Sequence, residues 1–374
     1  MRGILFFLLI PLFSFSQTYD VLFIGNSYTY YNDLPEMISS IANDFGDSIN
    51  HDQSTPGGTS LYAHSQNQAT INKINQQNWD YVVLQDQSQR PSLSPSYVAA
   101  NVYPYASQLV SLIDSNYICS EPIFYMTWGR KYGDQTNCNT YPPVCTFLGM
   151  QERLRESYLY MGLNNEAAVS PVGMSFKNSI ALDSTIDLYT TDYSHPSIYG
   201  SYLAACTFYS TIFKKSSVGC SYKPSAISQS EALFLQQVAS STVLDSMSMW
   251  NIFQAKFDYN INGKTIEFLN KSSNYQSCVW DFGDGSQSTD ISPLHTYQQN
   301  GLYNVILTIQ TNSGCLTESY SVQFNINSSS FQEQSVKKYI IKSFNVLGNQ
   351  IDDNFKGVVI ELDSKGGVYK KIKF

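Results

Sequence analysis

Polar and apolar positions follow two different patterns along the chain. From residue 18 to about 250, short apolar runs alternate with longer stretches of helical period. The run YDVLFIG (19–25) ends at Gly25 and reads as a buried parallel strand. The next segment offers Asn32 and Asp33 as caps and Pro35 in the first turn. Leu34, Met37, Ile38, Ile41 and Ala42 then recur at helical spacing. The same reading predicts strands over 79–85, 121–128 and 167–173 and helices near 59–77, 95–115, 146–163 and 197–214. A closing helix is expected over 230–250. Such alternation builds a parallel sheet with helices on both faces, and ligands then bind at the carboxyl ends of the strands. After residue 250 the period shortens to two, in KFDYNI, KTIEFLN, SCVWDFGDGS, GLYNVILTIQT and YSVQFNI. This predicts a small antiparallel sandwich over about 255–328. A polar linker then leads to three short β-like runs, YIIKSFNVLG, GVVIELD and GVYKKIKF.

Composition narrows the class. With 43% hydrophobic residues, 28 Tyr and 21 Phe in 374 residues, the chain can bury sizeable cores, which excludes wholesale disorder. A net charge of −8 argues against nucleic acid as a partner. Residues 335–374 hold eight Lys against four acids, so a basic tail follows an acidic body. Residues 1–16 read as a secretory signal peptide: Arg2, an apolar stretch over 3–13, and the small-x-small triplet Ser14-Phe15-Ser16. That stretch is too short to span a bilayer and no other is long enough, so an exported protein without a transmembrane segment is expected. Seven cysteines suit an oxidising compartment. The expected pairs are Cys138–Cys145, Cys206–Cys220 and Cys278–Cys315, with Cys119 left over. The cysteines lack a CxxC pair or a His cluster, so no metal is expected.

Four motifs of the first part carry the candidate chemistry. FIGNSYTYYNDLP sets Ser27 between a buried strand and a helix, exposing a hydroxyl at the sheet's carboxyl edge. TPGGTS places Gly57 and Gly58 where a backbone N–H can approach a substrate. VVLQDQS ends a strand with the amides of Gln85 and Gln87. TDYSHPS sets Asp192 three residues before His195, so one short turn can aim both at one point, with the carboxylate fixing the imidazole tautomer. Each motif alone has a mundane reading as cap, turn or surface pair, and the enzyme reading rests on their joint occurrence. His51 and His64, the rival bases, lack an acid at useful spacing and are expected on the surface or in loops. Trp128 and Arg130, after the third clear strand, are candidate substrate contacts.

The set GNS…G…Q…DxxHP resembles the SGNH (GDSL-like) hydrolases over about residues 18–250. The resemblance implies a flavodoxin-like three-layer α/β/α fold and an esterase needing no cofactor. It makes Ser27 the nucleophile, His195 the base and Asp192 its orienting acid. The oxyanion donors would be the Ser27 N–H, a glycine N–H at Gly57 or Gly58, and a side-chain amide. Asn26 stands where the family usually has Asp. Gln85-Asp86-Gln87-Ser88 replaces the family's Gly-x-Asn-Asp, so either Gln87, which falls on the Asn position, or Gln85 is the third donor.

Trp280-Asp281-Phe282-Gly283-Asp284-Gly285 with His295-Thr296-Tyr297 resembles the PKD domain, an immunoglobulin-like sandwich. There Asp281, Asp284 and His295 are expected to serve turns and packing, not calcium. The tail resembles the C-terminal sorting domain of the type IX secretion system of Bacteroidetes, which implies that secretion machinery is a partner. The expected organisation is a signal peptide (1–16), a catalytic domain (17–252), a PKD-like sandwich (253–328) and a sorting domain (335–374). The expected function is a secreted serine esterase acting on O-acyl, chiefly O-acetyl, groups of carbohydrates. A lipase-type esterase and a non-catalytic surface adhesin using the sandwich are the alternatives.

Overall fold

The computed structural model describes residues 17–326, together with the backbone of strands at 340–345, 357–363 and 368–373. The first part runs β1 (Thr18–Ile24), α1 (Ser27–Tyr30), α2 (Leu34–Asp44), β2 (Ser48–Ser54), α3 (Leu61–Ser65), α4 (Gln68–Ile74) and β3 (Tyr81–Leu84). It continues through α5 (Pro95–Asn101), α6 (Tyr103–Asn116), β4 (Glu121–Tyr125), α7 (Phe147–Asn164), β5 (Ala168–Ser170), α8 (Val172–Leu182), α9 (Ile198–Phe213) and α10 (Gln229–Leu244). The five strands form one parallel sheet in the order β2-β1-β3-β4-β5. This is the flavodoxin-like doubly wound order, whose switch point lies between β1 and β3.

Period-two geometry explains why β1 is apolar on both faces from Val21 to Ile24. Val21 and Phe23 face a core shared with α2, α8, α9 and α10, while Leu22 and Ile24 face one shared with α3, α6 and α7. The α9 side chains are buried all round from Gly200 to Phe213, because the helix lies between the sheet and its neighbours α2 and α10.

Several elements differ from the sequence reading. β2, SINHDQS, is a polar edge strand with only Ile49 buried, so no apolar run announces it. The helix expected over 59–77 breaks where Asn67 caps α4. The one expected over 95–115 breaks at Val102, with Pro104 in the first turn of α6. The run 167–173 is strand only to Ser170; after Pro171 it becomes α8.

The second part contains β6 (Phe257–Asn262), β7 (Thr265–Asn270), β8 (Ser277–Asp281), β9 (Gln287–Ser288), β10 (Leu294–Thr296), β11 (Gly301–Gln310) and β12 (Thr317–Ile326). They make antiparallel sheets β10-β7-β6 and β12-β11-β8-β9. Trp280, Phe268, Phe282 and Leu307 fill the space between the sheets. Asp281 and Asp284 each accept from backbone two residues on, and His295 bonds Asp284 (2.8 Å) while stacking on Phe282. The tail strands β13 (Ile340–Asn345), β14 (Gly357–Asp363) and β15 (Val368–Lys373) pair antiparallel in that order. The signal-peptide and linker segments lie outside the described residues. Among those described, no helix is long and apolar enough to cross a membrane.

The disulfides correct the expected pairing. Cys138–Cys145 is present, but Cys315 joins Cys119 across 196 residues, not Cys278. Cys206, Cys220 and Cys278 are free and buried. The expectation assigned partners within one module, whereas the long bond ties the sandwich to the turn before β4. An ion pair between Lys214 and Glu318 and a hydrogen bond from Asn274 Nδ2 to the Glu166 carbonyl (3.3 Å) join the same two parts.

Candidate active site

The switch point between β1 and β3 separates the first residues after those strands and leaves room above the sheet edge. Ser27 opens α1 directly after β1, with Asn26 as its cap. The Asn26 carboxamide accepts from the Tyr28 N–H (3.1 Å) and donates to the Thr59 carbonyl (2.8 Å), which draws the Gly57-Gly58 loop toward Ser27. A carboxylate at this position could not donate that second bond. Gly58 has φ +69°, which explains a glycine there.

On the other side, the loop of residues 187–197 is closed by a bond from the Thr190 N–H to the His195 carbonyl (2.9 Å). Asp192 Oδ1 accepts from the N–H groups of Ser194 and His195, both at 2.9 Å. Its Oδ2 accepts from His195 Nδ1 at 2.5 Å, which leaves Nε2 free to accept from Ser27 Oγ at 2.8 Å. Partial burial raises the Asp192 pKa, but hydrogen bonds from the imidazole, two backbone N–H groups and Thr190 outweigh it and hold the carboxyl well below the usual range. The carboxylate is therefore charged throughout the neutral range.

Aromatic packing fixes the histidine. Tyr31 stacks on the imidazole (4.6 Å between centroids) and Tyr28 meets it edge-on (5.5 Å). Asn32, in the left-handed region at φ 53°, ties the Tyr31 segment to Ser201 Oγ (2.8 Å). The sequence reading did not single out Tyr28 or Tyr31 and took Asn32 only as a helix cap, although the tyrosine cluster SYTYYND directly after Asn26 was the visible signal.

The two glutamines separate clearly. Gln85 is fully buried; its Oε1 accepts from the Asn26 N–H (2.8 Å) and the Thr29 hydroxyl (3.0 Å), and its Nε2 donates to the Asp86 carbonyl. It braces the strand end, with its whole amide buried away from solvent. Gln87 is half-buried, and its amide nitrogen makes only two contacts, to Ser88 and Gln89, both at 3.3 Å. Among the described residues the backbone N–H groups of Ser27, Gly57 and Gly58 have no acceptor.

Two expectations need correction. Trp128 is fully buried, stacked between Tyr28 (4.6 Å) and Phe176 (4.2 Å), and cannot touch substrate. It donates instead to the Ser194 carbonyl (3.0 Å) and so supports the histidine loop from below. His64 is not a surface residue: it is fully buried, donating from Nε2 to the Gly25 carbonyl (2.8 Å) and bonding Thr70 through Nδ1 (2.9 Å). Burial lowers its pKa, and neither nitrogen is free to act as a base. Arg130 is half-buried near Ser88 (3.4 Å) and stands 3.9 Å from the buried Asp134 carboxylate, for which it is the counter-charge. His51 lies 3.3 Å from Glu36 on the β2 edge, away from Ser27.

Residues 258–326 match the family profile of the PKD domain. Over 64 residues the chain is 36% identical to the pre-pro-metalloprotease PrtV of Vibrio cholerae serotype O1, covering 16% of this chain and 7% of that protein. The chain thus spans well under a tenth of the length of this curated relative. A DUF4886 family protein from Bacteroides uniformis superposes with a TM-score of 0.52 at 19% identity, covering 61% of this chain and 95% of that one. That likeness shows the fold of the first part. A candidate SGNH hydrolase from Slackia heliotrinireducens covers 52% of this chain and 100% of its own, with a TM-score of 0.43 and 23% identity.

Proposed function

We propose that the chain is a serine esterase that hydrolyses O-acyl, chiefly O-acetyl, esters of carbohydrates. One observation carries this reading: the unbroken hydrogen-bond chain from Ser27 Oγ through His195 to Asp192. Ser27 Oγ attacks the ester carbonyl carbon while His195 Nε2 takes its proton. The carbonyl oxygen gains charge facing the free N–H groups of Ser27 and the Gly57-Gly58 loop, with the Gln87 amide as side-chain donor. Collapse expels the alcohol, which takes the proton back from Nε2. Water then attacks the acyl-serine, giving its proton to Nε2, and Ser27 Oγ leaves with that proton as the acid is released. Asp192 holds the imidazole tautomer and balances its transient charge.

The carbohydrate preference is supported by exposed tyrosines on the segments that carry the triad. Tyr30 follows the nucleophile, and Tyr193 lies between Asp192 and His195 with Tyr132 packed edge-on against it (4.9 Å). A fluorophosphonate probe should label Ser27 in the native protein. Ser27→Ala should lose labelling and lower p-nitrophenyl acetate turnover by several orders of magnitude with the fold unchanged. A tenth of the activity surviving in the folded variant would reject the assignment, and would favour the adhesin reading in which the sandwich is the working part.

Export by a signal peptide and the basic tail is part of the same proposal. Deleting residues 335–374 should leave hydrolysis intact and trap active enzyme in the periplasm of a host with type IX machinery. Normal appearance of the truncated protein in the medium would show that the tail is no sorting signal.

A further inference from the structure

A cleft lies away from Ser27, at the amino ends of the parallel strands where the sandwich meets the α/β part. Its volume is about 410 Å³, within the range that holds a small ligand. From the first part it takes Asp114, Ile118, Glu121, Leu163, Asn165 and Glu166. The sandwich and its connection supply Asn251, Asn274, Tyr275, Gln276 and Asn312. The Cys119–Cys315 disulfide joins the two walls, so the cleft is preformed.

The lining is rich in acceptors. The amide nitrogens of Asn165, Asn251 and Asn274 are committed to backbone carbonyls of Met161 (2.7 Å), Ala167 (3.1 Å) and Glu166 (3.3 Å), which leaves their oxygens. The carboxylates of Asp114, Glu121 and Glu166 accept no hydrogen bond among the described residues, and the side chains of Gln276 and Asn312 make none. Burial and the nearby Asp114 push the Glu121 carboxyl up to about 7, against the pull of Lys214. Two apolar side chains that line the cleft, Ile118 and Leu163, are 57% and 76% exposed and serve no core. Such a surface suits a ligand bearing many hydroxyl donors on an apolar ring face. Carboxylates and amides take the hydroxyls, and Tyr275, Leu163 and Ile118 offer apolar contact.

We propose that this cleft is a carbohydrate-binding site, separate from the Ser27 site, that takes an oligosaccharide segment of about two or three sugar units. It lies at the opposite end of the strands from Ser27, so it anchors the protein to a glycan while the triad works elsewhere. The inference does not depend on the hydrolase reading.

The test is calorimetric titration of the full mature chain with cello-, xylo-, manno- and chitosan pentasaccharides. At least one should bind with a Kd below about 1 mM. Tighter binding of the chitosan oligomer would assign the donors to ammonium groups, and equal binding of a neutral one to hydroxyls; either supports the site. The double variant Gln276→Ala/Asn312→Ala, both positions exposed, should weaken binding by about tenfold or more, and so should Glu121→Gln. Both should keep the parent's rate on a small ester. Ser27→Ala should bind as the parent does. The proposal is overturned if none of the four binds, if binding survives the double variant, or if it is lost in Ser27→Ala.

Discussion

At the residue scale, two glutamines one residue apart on either side of Asp86 do different work. Gln85 points its whole amide into the protein, bonding Asn26, Thr29 and Asp86. Gln87 keeps an amide nitrogen held only by two long contacts. Gln87→Ala should therefore lower kcat by about 10²-fold with KM nearly unchanged, as loss of one oxyanion donor does. Gln85→Ala should act differently: it strands the buried Asn26 N–H, so it should cost about 1–3 kcal/mol of stability. Steady-state kinetics paired with thermal melts separates the two effects, and a selective kcat loss in the Gln85 variant would reverse the assignment. Sequence reading narrowed the third donor to this pair because both sit at a strand end. It could not choose, because the choice depends on a hydrogen bond to Asn26, 59 residues away.

At the scale of elements, the start of β4 places Glu121 against the sandwich, where burial raises its carboxyl to about 7. The sign is that of a raised acid. The folded state favours the protonated form, so that stability is fully present below about pH 4.5 and is lost as pH rises through 7. Glu121→Gln cannot ionise. Its melting temperature should match the parent's near pH 4.5 and exceed it by a few degrees at pH 8; scanning fluorimetry at the two pH values checks this, and a constant offset would mean that Glu121 does not titrate in this range. The apolar strands β1, β3 and β4 were legible because burial on both faces leaves a continuous hydrophobic run. β2 was not, since an edge strand pairs on one side and can be polar. α8 was hidden by Pro171, which reads equally as the end of a strand or the threshold of a helix. The triad motifs were legible because each is local. The stack of Tyr28, Trp128 and Phe176 beneath His195 was not, because it joins three segments distant in sequence.

At the scale of the whole molecule, the Cys119–Cys315 bond makes two modules one unit. In the chain-entropy account, closing a loop of 196 residues is worth about 5 kcal/mol. Cys315→Ser in the full chain should leave small-ester turnover at room temperature unchanged, since the triad lies in the first part. It should lower the melting temperature by roughly 5–15 °C; an unchanged melt would show that packing alone holds the modules together. The same bond also has a consequence in time. Cys138 and Cys145 are seven residues apart and can close almost as soon as both have emerged. Cys119 must wait as a thiol while most of the later chain is made, and Cys138, Cys206, Cys220 and Cys278 all appear before its partner. Rapid closure of the short loop removes the nearest wrong partner, and burial of Cys206 and Cys220 in the first core withdraws two more from thiol exchange. Correct pairing thus depends on the first part folding before the sandwich is complete, and a variant that delays that core should accumulate mispaired isomers even where its final stability is unchanged.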